Sequence, residues 1–253
     1  LSGVNTYSGT TVVDAGTLTL SGGSALANTM AVTVNASGTL KLANSEEIAT
    51  LAGAGAVDLQ ANTLTLSGSG NTTYSGVMSG AGSLVKSGSG ELTVSGTNTF
   101  SGGATVSGGT VWIGDNDAFG SGTVVFSGGK IAADGTSART LANQLTLSGA
   151  LILGDVTNNG ALTLSGDADV SAETTLTVAS GVTLSGVISG IGSLAKNGSA
   201  ALTLSGVNTF SGGATVSAGT VWVGNDAAFG SGTVVFSGGK IASDSASART
   251  LAN

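Results

Sequence analysis

The sequence has no cysteine, no proline and no histidine in its 253 residues, and only 8% of them are charged. Without cysteine a disulfide scaffold is excluded; the compartment stays open, although the absence suits a chain exported unfolded. Without histidine the commonest general base and metal ligand is missing, and a Ser-His-Asp triad cannot be built. Positive charge is scarce. A net charge of -7 argues against nucleic acid, which wants a basic face, and against a polybasic membrane contact. No apolar run approaches the roughly 18 residues of a spanning helix, so no membrane insertion of this segment is expected. The chain opens at Leu1 inside a repeat and without a signal peptide, which reads as a fragment or a processed product.

What remains is glycine (44 residues), hydroxyl side chains and aliphatics, with 40% hydrophobic residues. That is enough apolar surface to fold, despite a composition that can otherwise mean disorder. Internal repeats dominate. Residues 75–143 align without a gap onto 185–253, an offset of 110, with 53 of 69 positions identical, and residues 1–74 are a diverged version of the same material. The expected organisation is one segment over 1–253: a diverged repeat at 1–74, a superrepeat at 75–184 and a partial superrepeat at 185–253. The smaller units are short strands. "LTLSG" or a variant begins at Leu18, Leu64, Leu92, Leu145, Leu162 and Leu202. Aliphatics alternate with Thr or Ser, then meet Gly. Period two means one buried and one wet face, Thr and Val favour the pleat, and Gly permits the positive φ of tight turns. "SEEIATLAG" from Ser45 is the only tempting helical pattern.

About eleven strands per superrepeat without long connections could form a sandwich, a membrane barrel or a solenoid. Near-identical copies favour the solenoid, where each coil meets the same neighbours. Two Trp, two Tyr and six Phe are too few for the aromatic girdles of a barrel. The expected fold is all-β, a right-handed parallel β-helix. With ~22 residues per coil, the superrepeat is ~5 coils and climbs ~24 Å at the ~4.8 Å strand spacing. Leu92, Val94, Val106, Val111, Ile113, Val124 and Phe126 take the inward parity; Thr93, Thr105 and Val125 take the outward one.

The stretch "TYSGVMSGAGSLVKSGSGELTVSGTNTFSGGATVSGGTV", Thr73 to Val111, resembles the autotransporter-associated β-strand repeat (passenger-associated transport repeat) of type V secretion passengers. Leu84, Lys86, Gly88, Gly90, Leu92, Asn98, Phe100, Gly102, Gly103 and Val106 occupy its pattern. Leu194, Lys196, Gly198, Leu202, Asn208, Phe210, Gly212, Gly213 and Val216 do so in the second copy, with Ala200 in place of a Gly. The resemblance implies a right-handed β-helical passenger on, or released from, a Gram-negative cell surface, and an outer-membrane barrel elsewhere in the full protein. It implies no particular activity.

Several motifs carry possible chemistry. "SLVK" (Ser83–Lys86) and "SLAK" (Ser193–Lys196) match the Ser-x-x-Lys nucleophile motif, but lie in strand-patterned sequence without Lys-Thr-Gly, and read as structural. "GDNDAFG" from Gly114 opens like a calcium loop, yet Phe119 and Phe126 stand at ligand positions, and the second copy, "GNDAAFG", loses an acid; a solvated turn is expected. Asp167, Asp169 and Glu173 could supply a glycosidase pair, but lack an aromatic platform and read as a surface loop. Asn5, Asn98 and Asn208 are expected to bond turn backbone. Trp112 and Trp222 take the outward parity. They are the candidate contacts for a glycan or a partner, against the reading that each packs under a neighbouring turn. One superrepeat apart, they are expected ~24 Å from each other on one wall.

The sequence thus reads as a structural stalk or passenger segment of a secreted bacterial surface protein, adhesive in addition, with no enzyme activity, no cofactor and no metal. The alternatives are a self-associating surface filament or layer protein and a polysaccharide-acting β-helix enzyme. Leu1 and Asn253 both interrupt a repeat, so both ends are expected to expose strand edges and to stack end to end.

Overall fold

Alternation of aliphatic with Thr or Ser builds strands and nothing else: 28 of them, and no helix among the described residues. The structure is a computed structural model, and it describes residues 1–245 and 248–251; Asn253, the expected point of interruption, lies outside them. The chain divides into two compact units, Leu1–Val124 and Val125–Asn253. Each is a parallel β-helix.

In the first unit Thr11–Leu20 and Ala31–Leu42 are long strands paired in parallel. The next coil splits that length in two. Thr50–Gly53 lies against the first half of Ala31–Leu42, and Ala56–Asp58 against the second. From there the coil has three walls. One runs through Thr50–Gly53, Thr72–Tyr74, Glu91–Val94 and Thr110–Ile113. A second runs through Glu46–Ile48, Thr63–Leu66, Ser83–Lys86 and Ala104–Val106. Ala56–Asp58 and Met78–Ser79 form the third. The "SEEIATLAG" segment that resembled a helix is therefore strand.

The second unit repeats three walls in a fixed order. Lys130–Ala133, Gly149–Leu153, Thr174–Val178, Leu194–Asn197, Ala214–Val216 and Val234–Phe236 stack on one. Arg139–Leu141, Leu162–Leu164, Val182–Leu184, Leu202–Leu204, Thr220–Val223 and Lys240–Ser243 stack on the next. Leu145–Leu147, Ala168–Asp169 and Ile188–Ser189 stack on the third.

The inward parity holds at each of the expected positions. Leu92, Val94, Val106, Val111, Ile113, Val124 and Phe126 are all buried, while Thr93, Thr105 and Val125 on the opposite face are half-buried between the coils above and below. Two expectations need correction. The usual coil is 20 residues, not 22: Leu162 stands beside Val182, and Val182 beside Leu202. Longer coils exist, such as the 25-residue step from Gly149 to Thr174, where the sequence inserts at a corner. The superrepeat is also not a whole number of coils. Arg139, Leu162, Val182, Leu202, Val221 and Ile241 stand in one column, so five coils use 102 residues (139 to 241). An offset of 110 overshoots by 8, about one wall. Accordingly Lys130–Ala133 lies on the first wall of this unit, and its copy Lys240–Ser243 on the second.

In the second unit three glycines that close "LTLSG" or "VTLSG" have a reason other than φ. Gly166, Gly186 and Gly206 stack 20 residues apart with backbone φ outside the left-handed region. A Cβ on Gly186 would sit 2.2 Å from the Gly166 carbonyl oxygen, and one on Gly206 would sit 2.1 Å from that of Gly186. The coils approach too closely there for any side chain.

Candidate functional site

The two tryptophans occupy equivalent strands in unequal surroundings. Trp112 stands beside Thr93 in register, is half-buried, and donates its indole Nε1–H to Glu91 Oε2 at 3.0 Å. Trp222 stands between Thr203 and Ala242 and is 39% exposed. The residue matching Glu91 is Ala201, which lies beside the start of the Trp222 strand. No side chain among the described residues accepts the Trp222 indole N–H. Both rings take the outward parity, as expected; one is tethered and one is free.

The Ser-x-x-Lys motifs cannot act as a pair. In a strand, residues three apart point to opposite faces. Ser83 faces out, 2.9 Å from the Thr63 hydroxyl, and Lys86 faces in. Lys86 and Lys196 are both buried. The Lys196 ammonium donates to the carbonyls of Asn197 (2.8 Å), Gly198 (2.8 Å) and Ala218 (3.1 Å), and Lys86 to that of Gly88. Neither has a carboxylate partner among the described residues. Burial lowers both pKa values, that of Lys196 to about 8. The strand alternation already set these lysines on the Leu84 face. Their charge is what makes an inward position hard to accept from sequence.

The acids do local structural work. Asp115 Oδ1 accepts the Asp117 N–H at 2.8 Å, and Asn225 does the same for Ala227 at 2.9 Å. The copy lost no function by losing the charge, because an Asx turn needs only the oxygen. Asp167 Oδ1 accepts the Val187 N–H of the next coil at 2.8 Å. Asp169 and Glu173 are exposed. No group of three or more His, Cys, Asp or Glu among the described residues is arranged to hold a metal, and no helix is long and apolar enough to cross a membrane.

The asparagines bond backbone, Asn5 within its own turn at Gly3 as expected, and all three across coils. Asn98 accepts Met78 N–H (2.7 Å) and donates to the Ala118 carbonyl (2.7 Å). Asn208 accepts Ile188 N–H (2.8 Å) and donates to the Ala228 carbonyl (2.6 Å). Each pins a coil to the one before and the one after. Asn5 makes the same bond to Ala25. Glu46 is a variant that the sequence did not reveal: buried, it accepts the N–H groups of Ala25 (3.1 Å) and Leu26 (2.6 Å).

The passenger-associated-transport-repeat family model matches residues 1–20, 84–113 and 194–223. The latter two segments contain the buried lysine, the coil-bridging asparagine and the tryptophan of each copy. No curated protein and no solved structure matches the chain.

Proposed function

We propose that the chain is a structural, β-helical stretch of an autotransporter passenger, held at the surface of a Gram-negative bacterium and serving as a stalk for adhesion. The three matches to the passenger-associated-transport-repeat carry this reading. The side chains that the repeat shares are engaged in holding coils together, which is the work of a spacer. The reading includes no catalytic activity: Ser83 and Lys86 face apart, and Asp167 is occupied by a backbone N–H. Antibody to this chain, applied to intact cells of the bacterium that makes it, should label the surface, and brief external protease should remove the signal. Labelling only after the outer membrane is broken would overturn the proposal.

Self-association into a filament or layer is a second reading, favoured by one observation. Phe236 is 49% exposed, whereas its copy Phe126 is 1% exposed. Among the described residues Val234–Phe236 has one strand partner, Ala214–Val216.

A further inference from the structure

We propose that the wall of the second unit bearing Trp222 binds a neutral polysaccharide chain along the coil axis. This goes beyond the stalk reading and rests on four strands: Leu162–Leu164, Val182–Leu184, Leu202–Leu204 and Thr220–Val223. They pair in unbroken parallel register, so their outward side chains form straight columns. Thr163, Thr183, Thr203 and Trp222 make the central column. Ser165, Ser185 and Ser205 flank it on one side, and Ala161, Gly181 and Ala201 on the other.

Over these four strands, 161–165, 181–185, 201–205 and 220–224, there is no charged residue, although the chain as a whole carries -7. The next strand adds one charge of each sign, Lys240 beside Thr220 and Asp244 against Gly224, so neither an anionic nor a cationic ligand finds a net counter-charge here. A peptide finds no strand edge, because each middle strand is paired on both sides. What the wall offers is hydroxyls and an aromatic ring. The Thr163, Thr183 and Thr203 hydroxyls make no hydrogen bond to protein among the described residues. At the ~4.8 Å strand spacing the wall runs about 14 Å, with columns about 6.6 Å apart. A neutral sugar polymer presents the matching chemistry: periodic hydroxyls to pair with Thr and Ser, and C–H faces to lie on the indole, whose apolar body and polar edge suit such a half-wet contact.

The two copies supply an internal control. Glu91 ties the Trp112 indole at 3.0 Å and puts a charge on that wall; Ala201 does neither for Trp222. Of the two rings that sequence parity nominates, the structure assigns binding to Trp222.

The test uses the 253-residue chain, with amorphous cellulose and a β-1,3-glucan as neutral probes and polygalacturonate as the acidic one. Retention on insoluble glucan and a change in Trp fluorescence are read together. Wild-type protein should be retained by a neutral probe and not by polygalacturonate. Trp222→Ala, Thr183→Asp and Ala201→Glu should each weaken retention about tenfold or more. Trp112→Ala should leave it unchanged. All of these positions lie on the outward face, so melting temperatures are expected to stay close to wild type and serve as the folding check. Ala201→Glu leaves the ring in place and should act by supplying the tie that Glu91 supplies. Absence of retention on both neutral probes, preference for polygalacturonate, or equal retention of folded Trp222→Ala and wild type would each overturn the proposal. Surface display is read on cells, so its failure and the failure of glucan binding are separate results.

Discussion

Gly181 and Gly186 are five residues apart and answer to different constraints. A Cβ on Gly181 meets nothing within 4 Å; one on Gly186 meets the Gly166 carbonyl oxygen at 2.2 Å. Gly181→Ala should therefore change stability by less than about 0.5 kcal/mol. Gly186→Ala forces two coils apart and should cost about 1–3 kcal/mol. Urea midpoints of the two variants decide it, and equal midpoints would mean that the coils can separate without loss. Lys196 gives a second residue-scale expectation, with a sign. Burial holds it at about 8 in the folded chain, against 10.5 for a free lysine. Between these values the unfolded chain keeps a proton that the folded chain has released. Stability from this group therefore rises with pH across the window, and the cost of a buried charge is fully present below pH 8. The gap in urea midpoint between wild type and Lys196→Met should move in favour of wild type from pH 7.5 to pH 10. A constant gap would place the lysine's folded pKa near the ordinary value. Comparison within one pH removes the contribution of the other buried lysine, Lys86.

The strand is the element at which sequence and structure agree best. Leu92 is 2% exposed, while its neighbour Thr93 lies on the outer face beside Thr73 and Trp112. Leu92→Asp buries an unpaired carboxylate and should cost several kcal/mol; Thr93→Asp should cost under about 1 kcal/mol. Comparable losses in melting temperature would reject the register. Parity was legible because period two is written directly in "LTV" and "TVWI". Coil length was not, because corners carry no period: the 25-residue step at Gly149 and the 20-residue step at Leu162 begin with similar strands. The same limit hid the partners of Asn98 and Asn208. Sequence marks an asparagine beside a turn, and only stacking decides that its two amide atoms serve the coils on either side. Of the candidate site, the outward parity of both tryptophans was legible. The difference between them lay in one substitution, Glu91 against Ala201, whose meaning depends on knowing which residue stands beside the Trp strand.

At the scale of the whole chain the repeat and the coil are out of step. Within the second unit an offset of 110 residues carries Lys130–Ala133 from one wall to another at Lys240–Ser243. A sequence that must serve on successive walls cannot be tuned to one neighbour, which favours side chains that pack anywhere: Thr and Ser outside, Val and Leu inside. The same tolerance bears on self-association. "TVVFSGGKIA" occurs twice. In the first copy Phe126 and Ile131 are 1% exposed; in the second Val235, Phe236 and Ile241 are 48%, 49% and 39% exposed. Val234–Phe236 therefore stands, with one strand partner among the described residues, next to apolar side chains that the fold covers in the first copy. Thr11–Leu20 pairs with Ala31–Leu42 on one side, and on the other side, among the described residues, Leu1 and Ser2 reach only its end at Thr19 and Ser21. Unpaired strand edges template further pairing, and a coil that accepts any copy of the repeat as its neighbour accepts one from another molecule. Sedimentation velocity at rising concentration should show the chain associating. Val235→Lys with Phe236→Ser, which puts a charge and a small polar group on Val234–Phe236, should shift the onset to higher concentration without lowering the melting temperature. A strictly monomeric wild type up to millimolar concentration would remove the filament reading, and a double variant that associates as readily as wild type would move the contact away from this strand.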